Sequence, residues 1–150
     1  MSGLTQEKTA MNSETQAAAL ERALQAANAA SPFNGLAGFE IVAAAPGEVT
    51  LAAAAAPDLM NHAGLLHAGV QSALIDTACG YAAGSVAGNV TTVQLSLSFL
   101  AAAKGERFEA RARVIKAGRS QIFAEAQLFA IRDGAETLAA TGTAVLVRLG

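Results

Sequence analysis

Residues 68–85 read AGVQSALIDTACGYAAGS. Val70, Ala73, Leu74, Thr77, Ala78 and Tyr81 fall at helical spacing, and most of the remaining positions are apolar as well, so the stretch predicts a helix buried nearly all round. One charge interrupts it. Asp76 is the only Asp, Glu, Lys or Arg between Asp58 and Lys104. An unpaired buried carboxylate is expensive, so such a residue is hydrogen-bonded, paired, or kept in a cleft for its altered proton affinity. The plain alternative is a helix carboxylate that faces solvent or caps a neighbouring loop.

On the N-terminal side of this helix, GFEIVAAA and EVTLAAAAA are separated by Pro46-Gly47, a strong turn signal, and read as a hairpin. The alanine run has helical propensity, but Val49, Thr50 and Leu51 open it and Pro57 closes it, which favours strand. On the C-terminal side come four segments with strand alternation, divided at Lys104-Gly105, Gly118 and Asp133-Gly134. In TTVQLSLSFL, Val93, Leu95, Leu97 and Phe99 share one face and Thr92, Gln94, Ser96 and Ser98 the other. Short connections predict an antiparallel meander. The order strand, strand, buried helix, four strands is that of an α+β domain whose antiparallel sheet wraps one central helix. Ahead of it, residues 1–12 (MSGLTQEKTAMN) read as a flexible tail, and SETQAAALERALQAANAA as a helix capped at Ser13, with Leu20 and Leu24 on one face and SPFNG as its stop. Residues 13–150 then form one domain.

At 150 residues the chain is long enough for one core, burying roughly 68–70% of the surface its unfolded form exposes. Hydrophobic residues make up 53%, much of it alanine, and Gly, Pro or polar residues break every apolar stretch before about 20 residues, which predicts no membrane span. A net charge of −2 with ten scattered Lys and Arg gives no basic stripe for nucleic acid. The lone Cys79 excludes an intramolecular disulfide, and the absence of a signal-peptide pattern predicts a cytoplasmic protein.

Just before the helix lies NHAGLLHAG. First-turn amides of a helix lack intrahelical partners and sit in the positive end of the helix dipole, so the amides near Ala68 and Gly69 suit a carbonyl oxygen as it becomes negative. Taken alone, the stretch reads rather as an ordinary glycine-rich loop with His67 as cap, and it is Asp76 nearby that favours the functional reading. His62, His67, Asp76 and Cys79 match no zinc spacing, so no metal is expected. A lone cysteine on an apolar helix packs as a small hydrophobe rather than acting as a nucleophile. GLAGFE is not a dinucleotide fingerprint.

Asn61-His62-x-Gly64-x-x-His67-Ala68-Gly69, then Asp76-Thr77-Ala78, then TTVQLSLSFL, together resemble the hot-dog thioesterases of the phenylacetyl-CoA (PaaI-like) family. The resemblance runs from about Gly38 to Val147 and takes in Gly118-Arg119-Ser120 and the late TGTAVLV strand. It implies a hot-dog fold and hydrolysis of acyl-CoA thioesters without a cofactor. By the same resemblance Asp76 acts as general base or nucleophile, Asn61 positions the water or thioester, and the amide after His67 polarises the carbonyl. Thr92 orients the attack, with Thr91 in its place if the strand register slips, and Gly69 and Arg119 contact substrate. Lys104, Arg107 and Lys116 are further candidates for the CoA phosphates. The family has two glycines after the histidine, and Ala68 replaces the first, so clearance and backbone angle are at issue there. The resemblance also implies a homodimer or a dimer of dimers, a homotetramer, with Asp76 facing Asn61 and His67 of the partner. Alanine-rich walls suit a bulky aryl or medium-chain acyl group. The competing expectations are a non-catalytic acyl-CoA-binding module and a hydroxyacyl-thioester dehydratase or hydratase using His67 with Asp76.

Overall fold

The computed structural model describes residues 3–150, with side chains from Gln6 onward. Helix α1 (Gly3–Ala30) is followed by the short α2 (Pro32–Ala37), strands β1 (Glu40–Ala45) and β2 (Glu48–Ala54), a 3-10 turn at Pro57–Leu59 and the long helix α3 (Ala68–Ala87). Four strands follow: β3 (Val90–Phe99), β4 (Arg107–Ala117), β5 (Gln121–Arg132) and β6 (Ala135–Arg148). The hairpin turn falls at Pro46-Gly47, where Gly47 has a φ of 77° that favours glycine.

The six strands make one antiparallel sheet in the order β1-β2-β4-β5-β6-β3. Only β4, β5 and β6 form a meander. β3 pairs with β6 and not with β4, which corrects the expected order. Residues 100–106 separate β3 from β4, longer than a two- to five-residue hairpin loop, and this connection crosses the end of the sheet, bonded to Ala139 and Ile131 on the way. β1 and β3 are therefore the sheet edges.

The inner face of the sheet is paved with small residues. Ala110, Ala112, Ala124, Ala126 and Ala144 are buried there, with Phe108, Ile122, Leu128 and Leu146 filling the ends. The thin floor lets α3 lie close across the strands, burying Leu74, Ile75, Ala78, Cys79, Ala82 and Ala83. At Gly142 on β6 the sheet and helix come close, since a Cβ there would come within 2.6 Å of Ile75 Cγ2 and 2.7 Å of Leu97 Cδ2. The sheet around a central helix is the hot-dog arrangement. α3 is not buried all round, however: Ala73, Asp76, Thr77, Gly80 and Gly84 lie on a partly exposed face turned away from the sheet.

The first helix begins at Gly3 rather than at Ser13, taking in most of the stretch read as a tail. Gln6, Glu7, Lys8, Ala10 and Met11 are good helix formers, and the segment from Gln6 to Met11 is exposed at every position. Ser13 and Thr15 donate back to the Ala10 and Met11 carbonyls within the helix, so Ser13 does not cap it. The helix meets the body of the protein from Leu20 onward, where Leu20 packs on the core, Leu24 is buried and Asn28 joins a polar network: Asn34 donates to Tyr81 Oη (2.9 Å) and to Asn28 Oδ1 (3.0 Å), and Asn28 donates to the Phe39 carbonyl (2.7 Å). That network ties α1 and α2 to α3. Among the described residues no helix is long and apolar enough to cross a membrane.

Candidate active site

Asp76 sits at the middle of α3 on the face turned away from the sheet. Its Oδ1 accepts a 2.8 Å hydrogen bond from the Thr92 hydroxyl. A β-bulge makes this contact. Thr92 pairs with Leu146 and Gln94 with Val145, so Val93 is an extra residue and the alternation of β3 changes phase there. Thr92 consequently joins Leu95 and Leu97 on the helix side, whereas Val93, expected on that side, is 56% exposed. Thr91 points outward, opposite Val147, and is not brought to Asp76. The other carboxylate oxygen, Oδ2, has no protein partner among the described residues.

The loop before α3 is held by its own side chains. Met60 and Leu66 form an isolated antiparallel bridge. Within it, the Asn61 side-chain oxygen accepts from the amides of Ala63 (2.9 Å) and Leu65 (3.1 Å), and Gly64 turns at a φ of 72°. Asn61 Oδ1 is thus committed to the loop, which leaves its Nδ2 as the group able to donate outward.

His67 caps the helix with its ring. Nδ1 accepts from the Gly69 amide at 2.8 Å, so the neutral ring carries its proton on Nε2. A Cβ on Gly69 would lie 3.0 Å from that Nδ1, a tight contact that the imidazole would have to yield to. The amides of Val70 and Gln71 go to the His67 carbonyl. Among the first-turn amides, the N–H of Ala68 alone keeps no partner among the described residues. Ala68 has no glycine-only backbone, since Asp133 is the only described non-glycine residue at positive φ, and the residue is exposed.

Eight residues of α3 separate Ala68 from Asp76, about 12 Å at 1.5 Å per residue. One chain does not bring the free amide and the carboxylate to the same atom. The helix face that carries Asp76 is lined by small side chains and is partly exposed.

The family model for the thioesterase superfamily matches residues 63–136, which span His67, Ala68, Asp76 and Thr92. A thioesterase family protein from Silicibacter pomeroyi is 40% identical, with a TM-score of 0.82 over 85% of this chain and 96% of that one. The chain belongs to the thioesterase superfamily. Thioesterase superfamily member 2 of zebrafish is 29% identical (TM-score 0.74, covering 89% and 98%), and a variant of the phenylacetic acid degradation protein PaaI from Thermus thermophilus is 25% identical (TM-score 0.71, covering 79% and 100%). No curated protein sequence matches the chain.

As a member of this superfamily the protein is a thioester hydrolase, and its remaining chemical groups can be sorted against that activity. Cys79 is no nucleophile: burial, then the negative charges of Asp76 and Glu125, push its thiol up to about 12. No three His, Cys, Asp or Glu side chains cluster as metal ligands among the described residues. Arg148 was not singled out from the sequence, yet its guanidinium donates to the carbonyls of Ala87 (2.6 Å), Arg119 (3.2 Å) and Gly118 (3.4 Å), fastening the β4–β5 turn beside the C-terminal end of α3 and the start of β3. That places the exposed side chains of Lys116 and Arg119, which have no ion-pair partner among the described residues, at the Thr92 end of the sheet. Arg107 is instead bonded to Glu109 at 3.3 Å, and Lys104 stands exposed on the crossover to β4. A groove of about 800 Å³ lies on the opposite, outer face of the sheet, lined by Thr50, Ser96, Ser98, Arg111, Glu125 and Thr143, away from Asp76.

Proposed function

We propose that this thioesterase hydrolyses acyl-CoA in the manner of the PaaI-like enzymes, with Asp76 of one chain and the Asn61–Ala68 loop of its partner completing each site. The observation that carries the reading is the hydrogen bond from Thr92 to Asp76, which orients a partly exposed carboxylate on an otherwise apolar helix and leaves Oδ2 available. Water held at Oδ2 loses its proton to Asp76 as it attacks the thioester carbonyl, or Oδ2 attacks directly and water releases the acyl group afterwards. In either course the carbonyl oxygen gains negative charge, the Ala68 amide of the facing chain receives it with Asn61 Nδ2 as a second donor, and the C–S bond breaks, the CoA sulfur taking the proton held by Asp76 in the first course or one from water in the second, to give CoA thiol and free acid. A general base contributes about 10²–10⁴-fold and one oxyanion donor about 10²–10³-fold, enough without a metal or redox cofactor.

The 12 Å gap between the two half-sites supports a homodimer as the smallest active unit, and the open small-residue face of α3 and the unpaired edge of β3 are surfaces a partner would cover. A dimer of dimers is compatible with the broad outer face. Arg119 and Lys116 are the cations placed to meet CoA phosphates, with Gly69 supporting the loop through His67 rather than donating to substrate. The small residues around Asp76 suit an aryl or medium-chain acyl group, and the unpaired Cys79 suits a cytoplasmic setting. A dehydratase needs a basic histidine nitrogen, and Nδ1 of His67 already accepts from Gly69 while Nε2 carries the proton, which favours hydrolysis.

The test is thiol release from a panel of short, medium, long and aryl acyl-CoAs. Turnover of at least one, with the aryl and medium-chain members ahead, is the expected result. Binding without thiol release would mean a non-catalytic module, and loss of water from a hydroxyacyl-CoA would mean a dehydratase.

A further inference from the structure

Gln71 is, with Asn34, one of the two buried polar side chains among the described residues, 6% exposed in the first turn of α3. Its Nε2 donates to the Leu66 carbonyl at 2.9 Å, and its Oε1 has no partner. The Leu66 carbonyl belongs to the same peptide group as the His67 N–H, which donates to the Leu59 carbonyl at 2.9 Å. That peptide plane is pinned at both ends. The next plane joins the His67 carbonyl to the Ala68 N–H, and its carbonyl accepts from Val70 (2.9 Å) and from the backbone of Gln71 itself (3.0 Å). Since N–H and C=O point in opposite directions across a planar peptide, fixing the two carbonyls fixes where the free Ala68 N–H points. Gln71 bonds to both, once by side chain and once by backbone.

We infer that Gln71 is a positioning residue for hydrolysis, aiming the Ala68 amide from within the core; this rests on the thioesterase reading. Packing does not account for an amide here. Methionine fills nearly the same space and would leave one bare oxygen, the Leu66 carbonyl, where Gln71 leaves another, its own Oε1, so the number of unpaired buried oxygens is the same with either side chain. The gain lies in the rigidity of an oxyanion donor that must be in place before charge develops.

Gln71→Met tests this. The variant removes one orphan oxygen, Oε1, and creates another, the Leu66 carbonyl, so its melting temperature should stay close to that of the wild type. A loosened Ala68 amide should lower kcat roughly ten- to a hundredfold, as a misplacement of about 1 Å does, with KM little changed because the amide acts on the developing oxyanion. Co-expression with Asp76→Asn chains supplies a readout that a merely structural role would not move. Mixed oligomers pair the sound Asp76 of the Gln71→Met chain with the sound loop of the other, so activity should rise above that of either variant alone. Gln71→Asn, too short to reach Leu66, should behave alike and serves if the methionine variant does not fold. Unchanged kcat in these variants, or melting temperature and kcat falling together with no recovery in mixed oligomers, would overturn the inference. A wild type that hydrolyses no acyl-CoA would instead sink the thioesterase reading beneath it.

Discussion

Replacing Gly142 by alanine would drive a methyl into the contact between β6 and α3. The new Cβ would stand 2.6 Å from Ile75 Cγ2 and 2.7 Å from Leu97 Cδ2, about 1 Å inside the usual carbon–carbon separation at each. Ile75 is fully buried, and a β-branched side chain in a helix has essentially one χ1 rotamer, so it cannot swing aside. The helix must shift instead. Overpacking of this kind costs about 1–3 kcal/mol. At about 2–4 °C per kcal/mol for a chain of this size, the melting temperature should fall by roughly 2–12 °C. Asp76 follows Ile75 directly, so the same shift would stretch the 2.8 Å bond from Thr92, and kcat should drop by on the order of tenfold or more. Circular dichroism melts and thiol-release assays on the same preparation would measure both. A variant that melts with the wild type would refute the packing argument, and one that melts lower with unchanged kcat would uncouple the helix position from the chemistry.

Two other outcomes follow from single contacts. Thr92→Val removes the hydroxyl donor to Asp76; a hydrogen bond to a charged group contributes about 1.5–3 kcal/mol, so kcat should fall roughly ten- to a hundredfold in steady-state assays, and full activity would show that the bond does not serve the reaction. Cys79 keeps its proton in the folded chain up to about 12 while the unfolded thiol ionises above its ordinary 9.0, so the folded state loses about 1.4 kcal/mol per pH unit between those values. Urea denaturation at pH 8 and pH 10 should show the wild type losing more stability than Cys79→Ala over that interval; equal losses would mean the buried thiol is not held protonated.

Much of the fold was legible because periodicity and punctuation agreed. The apolar repeat of α3, the Pro46-Gly47 turn and the alternation of β4 and β5 each report local geometry, and the strands appear where those signals put them. The place of β3 was not legible, because a seven-residue connection allows either a neighbour or a crossover, and the choice is made by packing against β6. The bulge at Val93 was hidden for a related reason: strict alternation in TTVQLSLSFL puts Thr92 outside, and only the pairing with Leu146 and Val145 reveals the extra residue. In the site, Asp76 stood out as a lone charge in an apolar run and His67-Ala68-Gly69 as a helix start. Which amide stays free depends on the His67 ring folding back onto Gly69, and the contribution of Gln71 on an amide that reaches Leu66; neither is a property of composition or spacing. The start of α1 was missed because an exposed helix carries no apolar period to read.

The central claim is that Asp76 is the carboxylate that hydrolyses the thioester, and the most direct measurement is kcat for Asp76→Asn beside the wild type on whichever acyl-CoA turns over fastest. Asparagine keeps the size of the side chain and an oxygen to accept from Thr92, so the variant should fold, melt and assemble as the wild type does. Its kcat should be lower by about 10²–10⁴-fold. An Asp76→Asn enzyme within a few fold of wild type would contradict the account and move the chemistry to another group.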